Sequence, residues 1–207
     1  MVAIIDYGLG NVGSIKNMLK KIGVQSVVTS DISEISEAEK IILPGVGSFD
    51  YGMENLINSG LTEILELKVI RQATPLLGIC LGMQLLTNSS EEGKLKGFGW
   101  VDAVTKKFNF KDSHQKLKIP HMGWNSINIE NESPLTKELP EDTRYYFVHS
   151  YYVECNNPQD IVLTSNHGIK FTAVFQQNHI FGVQFHPEKS HKHGMKILSN
   201  FCGYNNA

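Results

Sequence analysis

Pro75-Leu76-Leu77-Gly78-Ile79-Cys80-Leu81-Gly82-Met83-Gln84 reads as a short apolar strand that runs, with no loop between, into a helix opening at Leu81. A strand with no polar alternation is covered on both faces, which is the situation of a parallel sheet with helices above and below it. The preceding sequence repeats that grammar. Residues 2–6 (VAIID) form a strand, and residues 11–22 set Val12, Ile15, Met18, Leu19 and Ile22 on one helical stripe that Gly23 ends. Residues 26–29 and 40–43 are the next two strands, and residues 50–58 and 62–72 are helical. From Gly97 onward the texture changes. Residues 100–108, 126–130, 144–150, 161–165, 171–176 and 180–185 are short, strand-like and separated by turn residues, which predicts antiparallel or mixed pairing. Residues 189–202 return to helical spacing through Met195, Leu198 and Phe201. The expected fold is α/β in three layers: a largely parallel central sheet flanked by helices, with an antiparallel extension. It forms a single domain over residues 1–203 followed by a polar tail, 204–207.

The 207 residues, 41% hydrophobic and 19% charged, suffice to bury one core. Nineteen Lys and Arg against 21 Asp and Glu, a net charge of -2, leave no footprint for nucleic acid or an anionic membrane. The apolar run at the N-terminus ends at Asp6, and no later stretch approaches ~20 apolar residues. The expectation is a cytoplasmic protein without signal peptide or membrane span. Cys80, Cys155 and Cys202, an odd number at irregular spacing, read as free thiols rather than a disulfide framework.

Three short segments carry chemistry. In Gly78-Ile79-Cys80-Leu81-Gly82 a cysteine sits between strand and helix with a glycine two residues away on each side, the form of a nucleophile elbow. The reversal strains the central residue and leaves no room for flanking side chains, and it presents the thiol at a helix N-terminus beside backbone N–H groups. The plainer reading is an inert buried cysteine at a strand end. In Gly182-Val183-Gln184-Phe185-His186-Pro187-Glu188-Lys189 a strand ends in a histidine with a carboxylate two residues on. A cysteine nucleophile needs a base, and the base needs a group that fixes its tautomer; Cys80, His186 and Glu188 supply the three roles. Pro44-Gly45-Val46-Gly47-Ser48, after the third strand, is either an ordinary turn or a second oxyanion donor complementing the Leu81 N–H.

PGVGSF, GICLGMQLL, HMGWN, YYFVHSYY and GVQFHPEKS follow one another in this order over nearly the whole chain. In them the chain resembles the class I (triad) glutamine amidotransferases, and among these the glutaminase subunits of imidazole glycerol phosphate synthase. The resemblance implies hydrolysis of L-glutamine to glutamate and ammonia through a thioester on Cys80. Leu81 and the Val46-Gly47 loop would hold the oxyanion, His186 would protonate the departing ammonia and Glu188 would orient His186. By position, Gln84 and Glu92 would take the amino and carboxylate ends of the substrate, and His149 and Ser150 would line the pocket through their backbone. The ammonia would pass to a (β/α)8 barrel synthase that makes imidazole glycerol phosphate and aminoimidazole carboxamide ribotide. Asn11, Trp124, Asn125, Tyr146 and Lys189 would form the docking surface. No cofactor and no metal is implied.

Two rival readings are weighed. Gly8-Leu9-Gly10-Asn11-Val12-Gly13 is a literal GxGxxG between strand and helix, with Asp31 after the second strand, the pattern of a dinucleotide-binding module. That module would leave Cys80, His186 and Glu188 unexplained. Val12-Gly13-Ser14, Ser165-Asn166-His167-Gly168 and His191-Lys192-His193 depart from the usual histidine-pathway pattern, and open the alternative of a paralogue that feeds a surface-sugar amidating synthase. His191 and His193 read as solvated at the start of the last helix, Cys155 as incidental and Cys202 as packed, while His114 and His121 fall in expected loops.

Overall fold

The computed structural model describes residues 1–110 and 117–205. The expectations for His114 and for the last two tail residues, 206 and 207, lie outside them. Strands β1 (Val2–Ile5), β2 (Ser26–Thr29), β3 (Lys40–Gly45) and β4 (Leu76–Cys80) alternate with helices α1 (Val12–Lys21), α2 (Ile32–Ser36), α3 (Phe49–Asn58), α4 (Leu61–Glu66) and α5 (Leu81–Leu85). The second half holds β5 (Ala103–Lys107), β6 (His121–Ser126), β7 (Asn128–Ile129), β8 (Arg144–His149), β9 (Tyr151–Cys155), β10 (Ile161–Asn166), β11 (Lys170–Gln177), β12 (Ile180–Val183) and the last helix, α6 (His191–Gly203).

Among the described residues one sheet runs β2-β1-β3-β4-β12-β11-β10-β7, with β9 and β5 branching from β11. The first five strands are parallel and β11, β10 and β7 antiparallel. The apolar runs are covered on both sides. Ala3, Ile5, Ile41, Leu43 and Leu76 face a layer built from Ile35, Phe49, Leu56, Leu61 and Leu65, whereas Val2, Ile4, Ile42, Leu77 and Ile79 face Ile15, Leu19, Ile197, Leu198 and Phe201. Neighbours along one strand thus bury in opposite layers, as the period of two requires. β6 and β8 form a separate antiparallel ribbon, Trp124 opposite Tyr146.

The structure corrects several expectations. The helix expected over 62–72 ends as α at Glu66 and continues as a π turn, Leu67–Arg71. α2 was not expected; Asp31 caps it, its Oδ1 accepting from the Ser33 and Glu34 N–H groups at 2.7 and 3.3 Å. β6 was not expected either, and places His121 in a strand, buried, rather than in a loop. The single strand expected around 126–130 shrinks to β7, because Ser126 already belongs to β6. His193, expected in solvent, is buried within α6, and His191 lies flat on Trp124 with ring centroids 5.6 Å apart.

Candidate active site

Because β3, β4 and β12 are parallel neighbours, their C-terminal ends open at one edge of the sheet, the place where α/β folds set their sites. The register pairs Gly45 with Cys80 and Val183 with Ile79, so the glycine loop, the elbow and the His186 corner converge there. Cys80 has φ 54° and ψ -110°, a conformation disfavoured for a residue with a Cβ. A Cβ on Gly78 would lie 2.8 Å from Gly82 O and Met83 Cα, and one on Gly82 would collide with the Leu43 carbonyl. Both glycines are therefore required by the packing of the elbow. The helix behind Cys80 is short, Leu81–Leu85, so the thiol meets one turn of backbone rather than a long dipole.

Behind the sulfur, His186 Nδ1 stands 2.8 Å from Glu188 Oε1, both side chains 2% exposed. Nδ1–H donates to the carboxylate, and Nε2, which makes no hydrogen bond of ordinary geometry, is left for Cys80. Burial works against the imidazolium, but Cys80 and Glu188 outweigh it and raise the His186 pKa to about 10. The corner is strapped to β8. The His186 N–H donates to Tyr146 O at 2.9 Å, while the Ser190 hydroxyl donates to His186 O at 2.7 Å and accepts from the Tyr146 N–H at 2.9 Å.

A cavity of about 320 Å³ opens over the thiol. Val46, Gly47, Cys80, Leu81, Gln84, Glu92, His149, Ser150 and His186, all expected from sequence, line it together with Pro120, Val148 and Tyr151. Glu188 stands behind His186. Val46 is 43% exposed, and Gly47 has φ 120° with open space where a Cβ would be. Glu92 Oε2 accepts from the Phe49 N–H at 2.9 Å; burial raises its pKa against that bond, so Glu92 is a partly enclosed acid rather than a solvated one. Gln84 donates from Nε2 to Tyr151 O and to Gln184 Oε1 at 3.2 and 3.0 Å, which leaves its own oxygen to accept.

Next to the cavity Trp124, Tyr146 and Lys189 form one patch. The Trp124 and Tyr146 rings meet edge to face, Lys189 Nζ stands 5.7 Å from the Tyr146 ring, and the Arg144 guanidinium 5.8 Å from Trp124. Asn125, expected with Trp124, points to the other side of β6, where its amide reaches His121 Nε2 at 3.1 Å and Asn166 O at 2.8 Å. The alternation of a strand separates the two side chains. Asn11 is exposed at the start of α1.

The dinucleotide reading finds no support in the first loop. Its third glycine, Gly13, has no neighbour within 4 Å of where a Cβ would stand, although the fingerprint needs close helix-to-strand packing there, and Asp31 is occupied as a cap. A Cβ on Gly10 would instead meet Pro44 at 2.9 Å, and the Tyr7 hydroxyl donates to Pro44 O at 2.7 Å. The first loop thus braces the glycine loop after β3. No group of three or more His, Cys, Asp or Glu among the described residues is arranged to hold a metal ion. Besides the wall residues Pro120, Val148 and Tyr151, sequence reasoning missed Gln184 and Ser190, both with no exposed surface, and His121; these three lie inside motifs but carry no spacing signal.

The family model described as glutamine amidotransferase class-I matches residues 3–203. The chain belongs to the class-I glutamine amidotransferases. Among curated members, the chain is 57% identical to imidazole glycerol phosphate synthase subunit HisH 2 of Methanococcus maripaludis, over 97% of this chain and 98% of that one. It is 46% identical to subunit HisH 2 of Pseudomonas aeruginosa over the same shares, and 44% identical to subunit HisH of Leptospira borgpetersenii over 98% and 99%. Solved structures of this fold superpose at low identity. PurLQS from Thermotoga maritima gives a TM-score of 0.69 at 20% identity, over 98% of this chain and 97% of that one. A glutamine amidotransferase from the same organism gives 0.61 at 18%, over 90% and 75%. In this class-I amidotransferase no helix among the described residues is long and apolar enough to cross a membrane.

Proposed function

We propose that this chain is the glutaminase subunit of an imidazole glycerol phosphate synthase, hydrolysing L-glutamine on Cys80 and passing the ammonia to a (β/α)8 synthase subunit. The observation that carries the reading is the cavity at the ends of β3, β4 and β12, where a strained cysteine faces a histidine held by a buried carboxylate. The whole-length identity to HisH subunits supports a histidine-pathway acceptor.

In this mechanism His186 Nε2 takes the Cys80 proton, and the sulfur attacks the carboxamide carbon of glutamine. The oxyanion is received by the Leu81 N–H and, once the loop presents it, an N–H of Val46 or Gly47. His186 returns the proton to the nitrogen as the C–N bond breaks and ammonia leaves. It then accepts a proton from water, which attacks the γ-glutamyl thioester and releases glutamate and the thiol. Glu188 keeps Nδ1–H in place, so that Nε2 is the atom that works. The Gln84 oxygen accepts from the substrate ammonium, and Glu92, an acid that would repel the substrate carboxylate expected of it, adds negative charge at the ammonium end instead, while His149 and Ser150 shape the wall. One glutaminase unit over residues 1–203 accounts for this chemistry without cofactor or metal. A reducing cytoplasm would keep Cys80 free.

A second acceptor is favoured by one observation: two of the relatives bear the numeral 2, as a second subunit of the kind within one organism would. The paralogous reading keeps the site and changes only the partner to a surface-sugar amidating synthase. Ammonia release from glutamine, with and without the histidine-pathway barrel synthase and its ribonucleotide, separates them. A large rise supports the first; no rise, with a synthase competent on free ammonium, moves the acceptor. Cys80→Ala should abolish hydrolysis in both settings, and surviving activity would remove the nucleophile.

A further inference from the structure

Gln184 follows directly on β12, has no exposed surface, and lies with a terminal amide atom 3.7 Å from Cys80 Sγ. Which atom faces the sulfur is fixed by its neighbours. The Tyr151 carbonyl can only accept, so the Gln84 atom 3.2 Å from it is Nε2. That nitrogen is also 3.0 Å from the other terminal atom of Gln184, which must accept and is therefore Oε1. The Gln184 group against Cys80 is then the NH2. A flip of Gln84 would set acceptor against acceptor, and a flip of Gln184 donor against donor, in a dry interior.

We propose that Gln184 donates a hydrogen bond to the Cys80 sulfur that favours thiolate over thiol and holds the sulfur in its strained position in the elbow. A donor gains more from an anionic acceptor than from a neutral one, so the bond strengthens when His186 takes the thiol proton. His186 Nε2 and the Gln184 NH2 then act from different strand-end residues: one removes the proton, the other steadies the charge left behind. No bond forms or breaks at Gln184. The assignment rests on Cys80 being the nucleophile, and gives Gln184 a part in the reaction beyond completing a buried network. The relay Tyr151 O, Gln84, Gln184, Cys80 also joins the pocket wall to the sulfur through one oriented chain.

The test is the pH profile of Cys80 alkylation by iodoacetamide in the full chain without substrate, read by peptide mass spectrometry, for the parent, Gln184→Glu and Gln184→Leu. Burial pushes Cys155 up to about 12 and Cys202 up to about 11, so labelling below those values reports on Cys80, with Cys80→Ala as the blank. Gln184→Glu keeps the shape and the acceptor for Gln84, and Gln184→Leu removes the donor without adding charge. The expected result is a midpoint raised by about one pH unit in Gln184→Leu, which is about a tenfold slower reaction below the midpoint, and by more in Gln184→Glu, where the carboxylate adds like-charge repulsion. A cooperative melt is required before either profile counts, and the variant that meets it decides. A profile that coincides with the parent's overturns the hydrogen bond. Glutamine hydrolysis by Cys80→Ala, run in parallel, tests the nucleophile separately: activity there removes the catalytic reading, while the alkylation profile still decides whether Gln184 acts on the sulfur.

Discussion

His149 illustrates how hydrogen-bond direction fixes charge. Its Nδ1 donates to Tyr151 O at 2.7 Å, so Nε2 must accept, and His121 Nδ1, 2.9 Å away, must donate; His121 Nε2 then accepts from Asn125. Both rings are neutral. Burial, reinforced by neighbouring histidines, depresses His149 to about 3 and His121 to about 4. A histidine whose folded pKa lies below its unfolded value near 6.5 favours unfolding as pH falls, since only the unfolded chain takes up the proton. The His149 contribution is complete above about 6.5 and declines from there towards pH 3. At pH 5 this amounts to about 2 kcal/mol. Urea titrations at pH 7 and pH 5 should show that loss together with a similar one from His121, and His149→Gln, which keeps a donor and an acceptor, should remove the His149 share of about 2 kcal/mol. Equal slopes against pH in the two proteins would contradict the assignment. Glu188→Gln addresses the other end of the site. It keeps an acceptor for Nδ1 but loses the charge that balances imidazolium, so kcat in the presence of the synthase should fall by ~10²-fold or more with folding intact.

At the scale of elements, the elbow and the loop after β3 make opposite demands on glycine. Gly82 is needed for space, because any Cβ there strikes the Leu43 carbonyl of the adjacent strand. Gly82→Ala should therefore cost about 2 kcal/mol or more in a denaturant titration, whether or not glutamine is present. Gly47 has space but a φ of 120° that L side chains avoid. In the proposed mechanism the loop presents an N–H to the oxyanion hole and would use that freedom, so Gly47→Ala should leave the midpoint of unfolding within about 1–2 kcal/mol of the parent. Synthase-stimulated glutaminase should nonetheless drop by ~10²- to 10³-fold, the cost of one oxyanion donor. Full stimulation in the variant would show that the loop works without that rotation. The contrast also explains what was legible in advance. Residues 75–84 disclosed strand, elbow and glycines together, because sterics at one turn admit few sequences. β6 and β9 stayed hidden for a physical reason: Gly123 and the polar residues of HMGWNS mask a strand, and the chain passes from β8 to β9 through one bend at Ser150 without a Gly or Pro to mark it. α2 stayed hidden because five residues give no helical period, although Asp31 announces its cap. The separation of Trp124 from Asn125 needed β6 to be known as a strand.

Across the whole molecule, the patch of Trp124, Tyr146 and Lys189 and the candidate catalytic corner share one strand. Tyr146 presents its ring to the patch, while its backbone carbonyl holds the His186 N–H and its N–H engages Ser190. A barrel subunit seated on the patch would therefore press on a strand that fixes the base. The isolated chain should turn glutamine over slowly, and binding of synthase and its ribonucleotide should raise the rate by ~10²-fold or more. Affinity and activation should separate by residue. Trp124, 42% exposed, is the aromatic anchor of the patch, so Trp124→Ala should weaken the complex by about tenfold or more in titration calorimetry without lowering the thermal midpoint. At saturating synthase its rate should return to that of the parent, because the bonds that hold the His186 corner to β8 run through the Tyr146 backbone and the Ser190 hydroxyl, and the indole makes none of them. A Trp124→Ala complex that binds with unchanged Kd would take the barrel off this face, and one that binds but stays slow at saturation would make Trp124 part of the switch rather than of the anchor.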